Sequence, residues 1–251
     1  MLNFLKIILY FPLVNILALL VSVIPGGDVG VAVIILTILV KLALYPFSQH
    51  SIENQVKMSL LAPELNKIKE SGASKEEQAR LTFELYKKHK TNPFSGCLVQ
   101  IPIIFILIAL YSVFRTGLNF DSNILYSFIH VPAHINMNFL GFIDLSKTGS
   151  ILLALLAGVS QYFQAYFMPK PIPSNNKTSN FSDSLNQSMN MQMRYFLPIL
   201  IAVFGYSFSG AVALYWITSN IFGIGQQIKA NRKKVSIVVH GHKLEAGGEK
   251  E

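Results

Sequence analysis

The sequence predicts an all-α membrane protein. It has a five-transmembrane-helix core, a cytosolic helical hairpin and an N-terminal helix that either lies in the interface or spans. Three observations carry this reading. Of 251 residues, 51% are apolar and only 14% charged, against roughly 25% charged in an ordinary soluble domain; mean hydropathy is +0.43. Uncharged stretches of membrane length recur along the chain. Lys and Arg gather on one side of the spans those stretches define. The composition excludes a disordered chain, a coiled coil and an ordinary soluble enzyme. A single cysteine, Cys97, excludes a disulfide framework and a Cys-based zinc site.

The uncharged stretches place the spans. There are 21 such residues between Lys6 and Asp28, 24 between Lys90 and Arg115, 22 between Lys147 and Lys170, and 34 between Arg194 and Lys229. As one helix the last would be about 51 Å long, whereas a hydrocarbon core is about 30 Å thick. It must fold back, and Ser207-Phe208-Ser209-Gly210 is its turn-like break. A further apolar run, 30–47, carries one charge, Lys41. The expected spans are 30–47, 96–114, 149–168, 194–208 and 210–228.

Residues 2–24 admit three readings. The segment is long enough to span, yet Pro12 interrupts it, and Asn3, Lys6 and Tyr10 recur at helical spacing as in an interfacial helix. A cleaved signal is the third, although Val23-Ile24-Pro25 is a poor cleavage site. The domain reading is 1–27 for this helix, 28–234 for the core including a hairpin at 48–93, and 235–251 for a polar tail.

Orientation follows from the cations, of a chain with net charge +8. The connections 48–95 and 169–194 and the tail from 229 hold 17 Lys and Arg; the opposite side holds Arg115 and Lys147. The basic side, with the C-terminus, is therefore cytosolic.

Within the first connection, Ile52, Val56, Leu60, Leu61, Leu65 and Ile68 follow helical spacing, and Ser71-Gly72-Ala73 is a turn. Ser74 and Glu77 form a capping box that opens a second helix to about Lys90. The pair is either a solvated connector or a docking element. The loop 169–192, rich in Asn, Ser and Pro, reads as mobile. The loop 115–148 is apolar for a loop, with Phe128, Phe139 and Phe142, and belongs on or near the outer interface.

Lys41 is the most informative residue, because a cation inside a span costs several kcal/mol unless it snorkels or faces a polar cavity. Thr37, one turn earlier, shares its face. Gln100, Gln161, Gln164, Trp216, Ser219 and Asn220 supply further polar groups inside spans. Each is either an interhelical hydrogen bond or part of a polar cavity. No Asp, Glu or His falls within the five spans, which disfavours a proton relay or an intramembrane protease. His130 and His134 have Pro132 between them and no carboxylate with them, so no metal site is expected there. No nucleotide-binding motif is present.

Four stretches carry a resemblance. The first is Val33 to Phe47, with Thr37, Lys41 and Tyr45-Pro46-Phe47, running on to Lys57-Met58 and Leu61-Ala62-Pro63-Glu64-Leu65. The second is Tyr86 to Cys97, then Gln100-Ile101-Pro102. The third is Phe139 to Leu145, then Gly158-Val159-Ser160-Gln161. The fourth is Leu214-Tyr215-Trp216-Ile217-Thr218-Ser219-Asn220, then Gln226-Gln227. From about Asp28 to Lys234 the chain resembles the YidC-type membrane protein insertases of bacteria, which have mitochondrial and chloroplast relatives.

The resemblance implies a hydrophilic groove open to cytosol and lipid and closed outside, an interfacial helix before the core, and a short form with no large domain before residue 28. It implies a functional cation at Lys41, where the family more often has Arg, with Thr37, Gln161 and Trp216 beside it. Gln100 and Asn220 complete the expected groove. Ile103, Leu107, Ile217 and Ile221 form the expected apolar slide into lipid. Lys229, Arg232, Lys233 and Lys234 are a basic cluster suited either to ribosomal RNA phosphates or to topology alone. Nascent membrane proteins and lipids are the implied partners, with the ribosome and the Sec translocon as further candidates; no cofactor, metal or nucleotide is expected. The rival is a small secondary transporter or channel, which would commonly show inverted repeats.

Overall fold

The computed structural model describes residues 10–92, 95–115, 124–130, 132, 134–168 and 192–247. The expectations for Asn3, Lys6 and 169–191 lie outside the described residues, as do the side chains of Gln100, Ile103, Lys233 and Lys234.

Helix α1, Phe11–Val23, has Pro12 in its first turn, where a missing N–H costs nothing. Leu13, Val14, Leu17, Ala18 and Val21 form its buried stripe, while Leu19 and Val23 stay exposed. A tight turn over Pro25–Gly27 leads into α2, Val29–Ala43. Asp28 caps α2: Oδ1 accepts from Gly30 N at 2.8 Å and Val31 N at 3.1 Å, satisfying donors that no helical carbonyl reaches.

Helix α2 stops two residues before Tyr45, and α3, Tyr45–Leu60, leaves at a 66° bend. Pro46 explains the break, since proline cannot continue a helix yet suits its first turn. The expected span 30–47 is thus a helix to Ala43 followed by a turn of direction. Among the described residues no single helix is long and apolar enough to cross a membrane, whereas the bent pair α2 and α3 is so when taken together.

Pro63 ends α3 in the same way, and α4, Ala62–Glu70, follows directly. Gly72, with φ +71°, turns the chain into α5, Lys75–Lys88. Leu61, Leu65 and Leu85 pack together with Ile68 and Tyr86, so this helical pair has a small apolar core of its own. The capping box is half-formed. Ser74 Oγ accepts from Glu77 N at 3.3 Å, but the Glu77 carboxylate turns to Arg80 at 2.6 Å. The Arg80 hydrogen bond holds the Glu77 carboxyl below its usual range.

Helix α6 spans Ser95–Arg115. A short antiparallel hairpin, β1 Asn138–Phe139 with β2 Ile143–Asp144, precedes α7, Ile151–Phe167. A π-helical turn over Gln192–Phe196 leads into α8, Leu197–Ser207. The expected break at 207–210 separates α8 from α9, Gly210–Gly247, whose 38 residues form one continuous helix of about 57 Å. Helices α7 and α8 pack closely over small residues. A Cβ on Gly158 would lie 3.0 Å from that of Ala202, and one on Gly205 would lie 3.2 Å from Ala154 Cα. Small residues at a helix interface let backbones approach in the absence of a hydrophobic drive.

The buried apolar core sits at one end of the bundle, here the hairpin end. It takes Leu17 from α1, Val33 and Leu36 from α2, Leu110 and Val113 from α6, Leu145, Leu153 from α7 and Val212 from α9.

Candidate functional site

Three helices that start at the hairpin end change character part-way along. In α2 the buried residues are Val29, Ala32, Val33 and Leu36, then Thr37. In α7 they are Leu153, Ala154, Ala157 and Gly158, then Ser160. In α9 they run from Ala211 to Tyr215, followed by Ser219, Asn220, Gln226 and Gln227. The bent-off α3 adds buried Ser48, Gln49, Ser51 and Asn54. The half of the bundle away from the β-hairpin is therefore joined by polar side chains.

Those side chains bond across helices. Trp216 Nε1 donates to Gln161 Oε1 at 3.1 Å, and Asn220 Nδ2 to Ser160 Oγ at 3.0 Å. These link α9 to α7. Gly223 lies against Gln164; a Cβ there would sit 2.7 Å from its Nε2. One turn further, Gln226 Nε2 donates to Ser48 Oγ at 2.8 Å, joining α9 to α3. Asn231 Nδ2 donates to Phe167 O at 2.9 Å and so covers the end of α7. Gln49 Oε1 on α3 and Gln227 Nε2 on α9 are buried with no hydrogen-bond partner among the described residues. A spare acceptor and a spare donor at such depth cost roughly 1–3 kcal/mol each unless water or a ligand meets them.

Lys41 and Thr37 stand at the changeover on α2. Thr37 is buried and its Oγ1 donates back to Val33 O at 2.6 Å, so its hydroxyl is satisfied within the helix. Lys41 is half-buried, one turn beyond it. Leu107 and Ile217 lie partly buried on the apolar core, whereas Ile221 is 61% exposed. The structure thus pairs Gln161 with Trp216 and Asn220 with a residue that sequence reasoning passed over, Ser160. Ser48 and Gln226 were also missed as a pair. The spacing of Ser48, Ser51 and Asn54 at every third residue is the signal that could have found that polar face.

Of the basic cluster, Lys229 is not free in solution. Its Nζ donates to the Tyr45 hydroxyl at 2.8 Å and lies 5.3 Å from the centre of that ring. Tyr45 meets Phe222 edge-on at 6.5 Å. Arg232 is exposed.

The hairpin end is closed by the main chain. Asn136 exchanges hydrogen bonds with the entry to α2, N to Gly27 O at 2.9 Å and O from Val29 N at 3.0 Å. Asp28 Oδ2 accepts from Leu140 N at 3.0 Å. The Phe139 ring covers Gly30 so closely that no Cβ would fit. Gly210 N and Ala211 N donate to Lys147 O and Leu145 O. Asn15, 1% exposed, ties α1 to the same cap: Nδ2 donates to Ile124 O at 3.0 Å and Oδ1 accepts from Tyr126 N at 2.6 Å. The described part of this loop thus plugs the hairpin end of the bundle. His130 and His134 are exposed, and no group of three or more His, Cys, Asp or Glu among the described residues suits a metal.

The structure is a helical bundle packed by apolar side chains at the hairpin end and bridged by polar side chains toward the other. The chain belongs to the 60Kd inner membrane protein family, whose sequence profile matches residues 20–236. It is 31% identical over 219 residues to membrane protein insertase YidC 1 of Lactococcus lactis, covering 84% of this chain and 71% of that relative. It is 31% identical over 205 residues to membrane protein insertase YidC of Fusobacterium nucleatum, covering 80% and 85%. Against the membrane protein insertase YidC of Methylobacillus flagellatus, 32% identical over 207 residues, it spans only 32% of the relative's length.

Proposed function

We propose that the protein is a membrane protein insertase of the inner membrane that moves short polar tails across the bilayer and releases hydrophobic helices into lipid. The family membership and the insertase names of its relatives support the activity. The observation that carries the mechanism is the switch from apolar to polar burial in α2, α7 and α9.

In this reading five spans are formed by α2 with the start of α3, by α6, α7 and α8, and by the first half of α9. The α4–α5 pair and the C-terminus are cytosolic, and α1 lies at the outer face. The core is 28–234, with 235–251 as a polar tail. The polar seam is a groove open to the cytosol, lined by Lys41, Thr37, Gln100, Gln161, Trp216 and Asn220. Moving a polar segment through hydrocarbon costs several kcal/mol per unsatisfied group. A wet groove reaching half-way shortens that path, and a cation in it attracts an acidic tail more strongly than in bulk water. The client helix then leaves along Ile103, Leu107, Ile217 and Ile221. Hydrophobic partitioning and the membrane potential drive the step. Nascent membrane proteins are the clients, and the ribosome and Sec translocon are partners.

The test is insertion into proteoliposomes of a matched client series with neutral, singly acidic and multiply acidic tails. Lys41→Arg retains insertion because charge and reach survive. Lys41→Leu lowers it most for the most acidic tail, and Lys41→Glu lowers it further. Equal insertion by Lys41→Leu and wild type at every tail charge would show that Lys41 only snorkels. Solute flux without insertion would favour a transporter or channel.

A further inference from the structure

We infer that Lys229 is a second binding residue for acidic client tails, stationed at the cytosolic mouth of the groove and aimed by Tyr45. This rests on the insertase reading above. Lys229 is separated from Lys41 by 188 positions in the chain, but Tyr45, which holds it, follows Lys41 by four across the α2–α3 bend. The two cations therefore stand on either side of that bend, Lys229 exposed and Lys41 half-buried. A polar segment entering from the cytosol meets the exposed one first.

The geometry is that of a prepared receptor. A free lysine loses rotamer freedom when it binds. Here the side chain is already placed, by a 2.8 Å hydrogen bond to the Tyr45 hydroxyl. Tyr45 is itself fixed, edge-on against Phe222 and on the turn whose Ser48 is bonded to Gln226. An ammonium has three donors; Tyr45 takes one and leaves two for a carboxylate. Because Lys229 remains exposed, a client carboxylate reaches it while still hydrated. Transfer onward to half-buried Lys41 then removes water in two stages instead of one, which lowers the desolvation cost met at any single stage. The ribosome reading needs no such aiming, since a polyanion is attracted by solvated lysines equally well.

The experiment uses the full chain in proteoliposomes with the same client series. Wild-type insertion of the neutral-tailed client establishes the insertase reading by itself; its failure counts against that reading and not against the role of Lys229. Lys229→Gln is expected to slow acidic-tailed clients roughly two- to fivefold, the range for a partly exposed charge pair. It should leave neutral tails unchanged and flatten the salt dependence of acidic-tail insertion. Lys229→Arg should restore the rate. Tyr45→Leu, which frees the ammonium, should lie between wild type and Lys229→Gln. An equal loss for every tail would make Lys229 a structural brace and overturn the proposal. No loss for any tail, or no rescue by arginine, would overturn it as well.

Discussion

The two ends of the bundle are held by different forces. At the hairpin end, backbone groups bond to backbone groups and large apolar side chains fill the gaps; Phe139 on Gly30 and Leu145 on Gly210 are examples. At the other end, side-chain amides, hydroxyls and one ammonium bridge the helices. Main-chain bonds with interdigitated apolar packing are rigid and exclude water. Side-chain polar bonds exchange with water at little net cost, because each is worth only about 1 kcal/mol once its solvated alternative is counted. The same helices are thus welded by packing and main-chain bonds at one end and bridged by polar side chains at the other. That asymmetry supports the proposed groove, closed outside and open inside.

The strongest way to break the contrast is to overfill the welded end. Gly30→Leu places a side chain where Phe139 already lies, so the β-hairpin must lift from α2. A destabilisation of about 1–3 kcal/mol, the usual cost of overpacking, should appear as a lowered melting temperature in detergent. A melting curve unchanged from wild type would mean that the hairpin is loosely seated and the end is not welded.

A smaller effect is expected at the polar end. Gln226→Leu removes the bond to Ser48, whose hydroxyl still donates to Tyr45 O at 3.1 Å. The loss should be near 1 kcal/mol and should fall mainly on the α3–α9 contact. Hydrogen exchange should speed up in α3 while the first turns of α2 stay protected. Faster exchange at both ends would erase the distinction between them.

The smallest effect concerns the edge of the plug. Asp144 accepts from the Ser146 hydroxyl at 2.5 Å and from Ser146 N at 3.0 Å, and pairs with Lys147 at 3.0 Å. The Ser146 bonds first, then Lys147, hold its carboxyl at about 2 instead of 3.8. A depressed carboxyl stabilises the folded state above its unfolded value and loses that contribution as pH falls through the folded one. The window is therefore from about pH 4 down to about pH 2. Asp144→Asn should melt slightly below wild type at pH 5, and the two should converge near pH 2. A gap that persists at pH 2 would point to packing, not charge. The site is exposed, so the gap is small.

The helices were largely legible in the sequence because their causes are local. Apolar runs, the break at 207–210, the turn at Gly72 and the Ser74 cap all appear where expected. The bend at Leu44 was signalled by Pro46 but read as part of a straight span, since proline at a first helical turn and proline inside a helix look alike in sequence. The candidate site was legible as a set of residues that do not belong in lipid: Lys41, Thr37, Gln161, Trp216 and Asn220. It was not legible as pairs. Gln161 with Trp216 and Ser160 with Asn220 are 55 and 60 positions apart, and nothing local says which polar group faces which.

The sequence by itself therefore determined the class of molecule, its helices and its expected orientation, because hydropathy, helix-breaking residues and cation counts act within a few turns of chain. Only the tertiary structure decided that Leu140 bonds back to Asp28, that Asn15 ties α1 to Ile124 and Tyr126, and that Lys229 comes to rest on Tyr45. Those contacts join segments 109 to 184 positions apart. They exist because buried donors and acceptors must find partners wherever the packing of the helices brings them.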